Sequence, residues 1–256
     1  MGLSHSLNVV SSVGASQARL WHGTSAFWRA RKQPAQPLVL FDYEACPYCR
    51  LVREALTEMD LDVEIRPCPK GGTRFRPQVQ RAGGKAQFPY LEDPNTGEAL
   101  YESAAIIAYL ERTYDAPARP WSRRLRMINV LGGEAALVLR GLRGLRARPS
   151  LAPEQALELY SFESSPYSRL VREVLCELEI PYLLRNTGKA LLQDMGPPGL
   201  RRRLFPGLAV RGRNRQALLE RAGRVQVPYL VDPNTGTEMF ESAQIVAYLE
   251  QHYGRG

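Results

Sequence analysis

The chain of 256 residues carries 34 lysines and arginines against 26 acids, for a net charge of +8, with 44% hydrophobic and 23% charged residues. That is a globular composition with room for two ordinary domains, each able to bury a core. It excludes a disulfide-stapled secreted scaffold, because only four cysteines occur, two of them in one C-x-x-C, and a helical membrane span, because no apolar run approaches about 18 residues.

Residues 1–36 form an N-terminal extension with no Asp or Glu, six serines, Trp21 and Trp28. An arm packing its tryptophans on the domain fits this composition. So do an organelle transit peptide and, through Met1-Gly2 and Ser6, a myristoylation pattern. The expected location is the cytoplasm, or an organelle such as a plastid if 1–36 is a transit peptide.

Residues 37–116 form the first domain. Leu38–Phe41 reads as a strand, Pro47–Met59 as an amphipathic helix with Leu51, Val52, Ala55 and Leu56 on one face, and Val63–Ile65 as a second strand. Arg76–Arg81 is a short helix. Phe88–Leu91 and Glu98–Tyr101 flank the turn formers Asp93–Gly97, and Ser103–Tyr114 is the last helix.

Residues 117–155 are a basic linker with helical patterns at Ser122–Val130 and Glu134–Leu145. Between Ala118 and Ser150 it holds Arg119, Arg123, Arg124, Arg126, Arg140, Arg143, Arg146 and Arg148 against Glu134 alone, nearly the whole charge surplus. A solvated helix face accounts for such a stripe, which by itself specifies no ligand. No nucleic-acid motif accompanies it, so nucleic acid is not an expected partner.

Residues 156–256 repeat the first domain. Arg50–Glu54 recurs as Arg169–Glu173 at an offset of 119, and Pro89-Tyr90-Leu91 and Asp93–Gly97 recur as Pro228–Leu230 and Asp232–Gly236 at an offset of 139. The 20 additional residues of the second copy are rich in arginine, including Arg201, Arg202, Arg203, Arg211, Arg213 and Arg215.

The chemistry concentrates in Cys46-Pro47-Tyr48-Cys49. Strand, tight turn and helix place the two thiols one turn apart at a helix N-terminus, where unpaired N–H groups and the helix dipole stabilise a thiolate. Cys46 is then a nucleophile near neutral pH, and Cys49 is placed to resolve a mixed disulfide. Pro47 suits the first helical position. The competing readings are half of a zinc site or two packed thiols. A zinc site wants a second ligand pair, and the sequence holds no other close Cys or His pair, so no metal is expected. Cys68, between two prolines, reads as a loop-packing residue or an extra resolving thiol, and Cys176 as a packed hydrophobe.

With Cys-Pro-Tyr-Cys, the Phe/Val-Pro-Tyr-Leu strands and the Glu-Ser pairs in register, the chain resembles glutaredoxin and the N-terminal domain of glutathione transferases, twice, over about three quarters of its length. The resemblance implies an α/β fold of two tandem thioredoxin-like βαβαββα domains joined by a helical linker. It implies glutathione as cofactor, cis bonds before Pro89 and Pro228, and backbone groups of Phe88 and Val227 against the glutathione cysteine. Glu102-Ser103 and Glu241-Ser242 would hold the γ-glutamyl end, with Tyr48 also in the glutathione site. A simple helix cap is the alternative for the Glu-Ser pairs.

The implied activity is thiol–disulfide exchange on a glutathionylated protein or small disulfide through Cys46 and Cys49. In the second copy Ser165-Pro166-Tyr167-Ser168 cannot form disulfides. Ser165 resembles the serine of serine-type glutathione transferases, which stabilises the glutathione thiolate. Alternatively the copy is a degenerate docking domain, or the whole tandem is a non-catalytic glutathione- or protein-binding module.

Overall fold

The computed structural model describes residues 3–17, 21–117, 142–191, 203 and 209–255. After an N-terminal helix α1 (Leu3–Gln17), the first repeat runs β1 (Leu38–Asp42), α2 (Pro47–Glu58), β2 (Val63–Pro67), α3 (Arg76–Gly83), β3 (Tyr90–Asp93), β4 (Glu98–Tyr101) and α4 (Ser103–Thr113). The second runs β5 (Leu157–Ser161), α5 (Pro166–Glu177), β6 (Tyr182–Asn186), α6 (Arg213–Ala222), β7 (Tyr229–Asp232), β8 (Thr237–Phe240) and α7 (Ser242–Tyr253). Each is the expected βαβαββα order. The third strand starts at Tyr90, two residues later than expected, because the cis Phe88-Pro89 bond lies ahead of the ladder.

The two repeats share one eight-stranded sheet, ordered β4-β3-β1-β2-β6-β5-β7-β8. The joint is an antiparallel pairing of β2 with β6, Val63 opposite Leu184 and Ile65 opposite Tyr182. This pairing consumes the edge that β2 and β6 would otherwise each leave open. Alternation along β1 sends Leu38 and Leu40 to one face and Val39 and Phe41 to the other. On the first face α2, α4, α5 and α7 cover a single apolar cluster drawn from both repeats. The opposite face carries two small clusters, one under α3 with Cys68 and one under α6. The expectation of a separate core in each domain is therefore corrected: the main core spans both.

The segments preceding the repeats cross over. α1 packs on α5 of the second repeat, where Ser12 Oγ donates to Pro166 O at 2.8 Å and Ser16 Oγ to Ser164 O at 2.8 Å. Ser25 bridges to Lys189 of the second repeat, and Arg146 to Lys70 of the first. Residues Leu142–Leu145 form a turn with Leu142 and Gly144 at φ 61° and 73°, not the end of a helix as their pattern suggests. The rest of the two expected linker helices, with Arg119, Arg123, Arg124, Arg126 and Arg140, lies outside the described residues, as do Arg201 and Arg202. Among the described residues no helix is long and apolar enough to cross a membrane.

Candidate active site

Sheet register assembles the site. Phe41 is opposite Tyr90 and Tyr90 opposite Tyr101, so continuing both ladders sets Tyr43 opposite Phe88 and Glu102 opposite Pro89. The loop leading to Cys46, the X-Pro bond and the Glu-Ser pair thus line up at one end of three strands. The second repeat does the same with Phe162, Val227-Pro228 and Glu241. Both prolyl bonds are cis. Rings of Tyr43 and Phe88 meet edge-on at 6.2 Å, and the Arg76 guanidinium lies 4.8 Å over the Phe88 ring, held by the Cys68 carbonyl at 2.8 Å.

Cys46 is the N-cap of α2, and its sulfur accepts the Cys49 N–H at 3.3 Å. Its pKa is lowered. The Cys49 thiol contributes most by hydrogen bonding, burial opposes it, and the Cys49 and Tyr48 amides and the Tyr43 hydroxyl add to it. The Cys49 thiol is pushed well up by burial and by the neighbouring Cys46 sulfur. The Tyr43 hydroxyl is pushed up for the same two reasons. Of these three groups Cys46 alone is shifted toward the anion, with the Cys49 thiol and the Tyr43 hydroxyl as its two side-chain donors. Cys46 is only 3% exposed, as is Ser165, so low exposure belongs to the N-cap position rather than to the sulfur. Tyr48 stands out of the surface at 45%.

Tyr43 and Arg76 escaped sequence reasoning. Tyr43 has a readable signal, since it lies three residues before Cys46 and becomes Phe162 in the copy that has no thiol.

Glu102 and Glu241 precede α4 and α7 with φ of 69° and 68°, and neither side chain caps its helix. The simple-cap reading of the Glu-Ser pairs is thus not what the geometry holds. Each carboxylate instead faces an amide, Gln87 Nε2 at 2.5 Å and Gln226 Nε2 at 2.6 Å. Two non-glycine residues at positive φ in matching places store local strain of the kind that recurs at ligand clamps. Ser103 and Ser242 are buried beside them.

At the second repeat Ser165 Oγ accepts the Ser168 N–H at 3.3 Å and the Ser168 hydroxyl at 2.8 Å. The loop before it is enclosed by the N-terminal segment, with Thr24 bonded to Ser164 and the Ser164 N–H donating to Gly23 O at 3.2 Å. Cys68 packs with Phe41, Phe75, Val79 and Tyr90, its thiol donating to Arg66 O at 3.4 Å and pushed up by burial. Cys176 is more than a packed hydrophobe. Its sulfur accepts the Glu44 N–H and donates to Gly144 O, both at 3.3 Å. No group of His, Cys, Asp and Glu among the described residues is arranged to hold a metal ion.

Between the two sites lies a buried lattice. Arg53 binds Asp42 and, across the joint, Glu163 at 3.0 Å; Arg172 binds Glu44 across the joint at 3.0 Å and Glu163 at 3.2 Å. Of the repeated Arg-Leu-Val-Arg-Glu segment, Arg50, Arg53 and Arg172 enter this lattice, Arg169 turns to Ser12 and Ser16 of α1, and the valines face the core. Arginines Arg53 and Arg172 hold Glu163 at about 2 against its burial, while burial lifts Asp42 to about 6 against Arg53.

A family model for the glutathione S-transferase N-terminal domain matches residues 40–118 and 159–256, more than half of the chain. The chain belongs to this family. Its two matched segments are the two thioredoxin-like repeats. Among curated proteins none matches. Among solved structures, the Bombyx mori glutathione transferase BmGSTD1 is 28% identical over 32% of this chain and 38% of its own, with a TM-score of 0.29. The same transferase in complex with GTT is 27% identical over 36% of this chain and 45% of its own, with a TM-score of 0.31. A delta-class glutathione transferase of Nilaparvata lugens is 24% identical over 36% and 42%, with a TM-score of 0.27. The chain thus spans less than half the length of each of these transferases.

Proposed function

We propose that this member of the family is a glutathione-linked thiol–disulfide oxidoreductase with Cys46 as its nucleophile. The observation that carries the reading is the polarised thiol pair, with the Cys46 thiol lowered at the mouth of α2, its sulfur accepting the Cys49 N–H, and the Cys49 thiol raised. A lowered thiol with a protonated neighbour is the arrangement that exchange chemistry needs.

The Cys46 thiolate attacks the glutathione sulfur of a glutathionylated protein. The Cys46–glutathione disulfide forms, the substrate disulfide breaks, and the substrate thiolate leaves and takes a proton. A second glutathione thiolate then attacks the bound glutathione sulfur. Oxidised glutathione departs and the Cys46 thiolate returns, so one free glutathione is consumed and leaves joined to the glutathione that came from the substrate's mixed disulfide. The raised Cys49 thiol favours this route over intramolecular resolution, because Cys49 must first lose its proton in a buried place. Phe88 and Pro89 would align the glutathione backbone, Glu102 and Ser103 its γ-glutamyl end, and Arg76 offers a cation beside the same strand. In this reading Tyr43 and Tyr48 flank the sulfur, and Tyr43 also donates to it.

The second repeat serves chiefly as the structural partner of the first, since its serine site lacks Tyr43, Cys46 and Cys49 and is enclosed by Gly23, Thr24 and α1. The test is the rate of iodoacetamide alkylation against pH, with turnover of a glutathionylated peptide measured beside it. The expected thiol titrates well below the ordinary value of about 8.5, and Cys46→Ser removes both signals. A titration at the ordinary value, or turnover that persists in Cys46→Ser, rejects the reading.

A further inference from the structure

A cleft of about 720 Å3 opens between the repeats at the entry to α6, lined by Arg29, Asp60, Arg211, Arg213, Gln216 and Glu220 among others. It sits at the far end of α2 from Cys46, about 18 Å along a 12-residue helix. Thiol chemistry at Cys46 makes no use of it.

The pseudo-symmetric place in the other half indicates what it takes. The offsets of the repeat relate Asp60 to Glu179, and Gly212 and Arg213 to Thr73 and Arg74. Asp60 and Glu179 share a left-handed backbone, at φ 56° and 49°. In the other half the Glu179 carboxylate accepts the Thr73 N–H at 3.1 Å and the Arg74 N–H at 3.0 Å, while the Arg74 guanidinium donates to Glu179 O at 2.6 Å. An anion of the chain itself therefore fills that place.

In the cleft only half of this arrangement recurs. Arg213 donates to Asp60 O at 3.2 Å, as Arg74 does to Glu179 O. Asp60 is one methylene shorter than Glu179, and among the described residues no carboxylate is bonded to the Gly212 or Arg213 amide. Arg211 replaces Gly72. A Cβ at Gly72 would come 2.5 Å from the Glu179 carboxylate, so with Arg211 an anion lies farther out, toward the guanidinium groups.

The charges agree. Arg213 is paired with Asp62 at 2.8 Å, and among the described residues Arg29 donates its Nε to Ala26 O at 2.9 Å. Arg29 and Arg211 thus face the cleft against the carboxyls of Asp60 and Glu220. Burial raises Asp60 to about 6, so its opposition to a second anion weakens as pH falls through that value.

We propose that this cleft is a second ligand site, which takes a small molecule bearing a carboxylate or phosphate group in the role that Glu179 plays in the other half. Calorimetric titration of the full chain with inorganic phosphate and, separately, with citrate tests it and tells the two anion classes apart. Saturable one-to-one binding of at least one of them is expected. Arg211→Ala, at an exposed position, should weaken it about tenfold, the scale of one charge-assisted hydrogen bond. Asp60→Glu adds the missing methylene and should abolish it. Neither variant should change the alkylation profile of Cys46, so failure here is distinguishable from failure of the redox reading. Absence of saturable binding by both anions, or parental affinity in both variants, overturns the proposal.

Discussion

The two repeats use one scaffold, at an offset of 119 and then 139, yet they diverge at the mouth of the first helix. Asp42, Tyr43, Cys46 and Cys49 become Ser161, Phe162, Ser165 and Ser168. The joint does not diverge in this way. Glu44 and Glu163, and Arg53 and Arg172, keep their types, and each arginine crosses to the other repeat's glutamate. Thr57 and Cys176 differ in type but keep one role: each side chain accepts the N–H of the opposite glutamate, at 3.3 Å in both cases. The machinery for thiol chemistry is thus present once, whereas the cross-brace is present twice. The half that lacks the thiols still supplies one side of that brace.

The sharpest way to break this comparison is to remove the sulfur from one side only. Cys46→Ser should reduce turnover of a glutathionylated peptide to background, whereas Ser165→Ala should leave it near that of the parent. Equal losses would mean that the copies share the chemistry.

Next comes the brace. Glu163→Ala removes the carboxylate that Arg53 and Arg172 share and leaves them only the carboxylates of Asp42 and Glu44, and breaking a buried pair from one side costs about 3–5 kcal/mol. Urea denaturation should show a loss of that size, in a single transition because the main core spans both repeats. Two separate transitions in the parent protein would contradict the shared core. The same lattice has an acid limit. Glu163 has a folded value of about 2, below its ordinary 4.5, so its contribution is complete above 4.5 and is lost as pH falls toward 2.

Smaller effects sharpen the contrast at the helix mouth. Tyr43→Phe copies Phe162 into the first half and removes one donor to a charged sulfur, worth about 1.5–3 kcal/mol. The alkylation midpoint of Cys46 should rise by about one to two pH units. Cys49→Ser keeps a donor and should shift the midpoint little, whereas Cys49→Ala removes it and should shift it upward. If serine and alanine behave alike, Cys49 is not acting as a hydrogen-bond donor.

Much of this was legible in the chain. The repeat offsets, the apolar run of β1, the helical periodicity of α2 and the turn formers led to the element order because they are local signals. Cys46 stood out because thiol spacing and helix start coincide. Asp93 looked only like a turn residue, yet it accepts bonds from Tyr109 at 2.8 Å and Tyr114 at 2.5 Å, and Asp232 does the same with Tyr248 and Tyr253. Those partners lie 16 and 21 residues away, beyond any local pattern.

By itself the sequence determined which segments become strand or helix and which position carries the candidate nucleophile, since backbone preference and side-chain chemistry are properties of short stretches. Only the tertiary structure decided that β2 pairs with β6, that the arm before each repeat crosses to the other, and that four arginines are buried at the joint. Pairing across a chain depends on which edges remain unfilled once each unit has formed. No residue announces that before the edges meet.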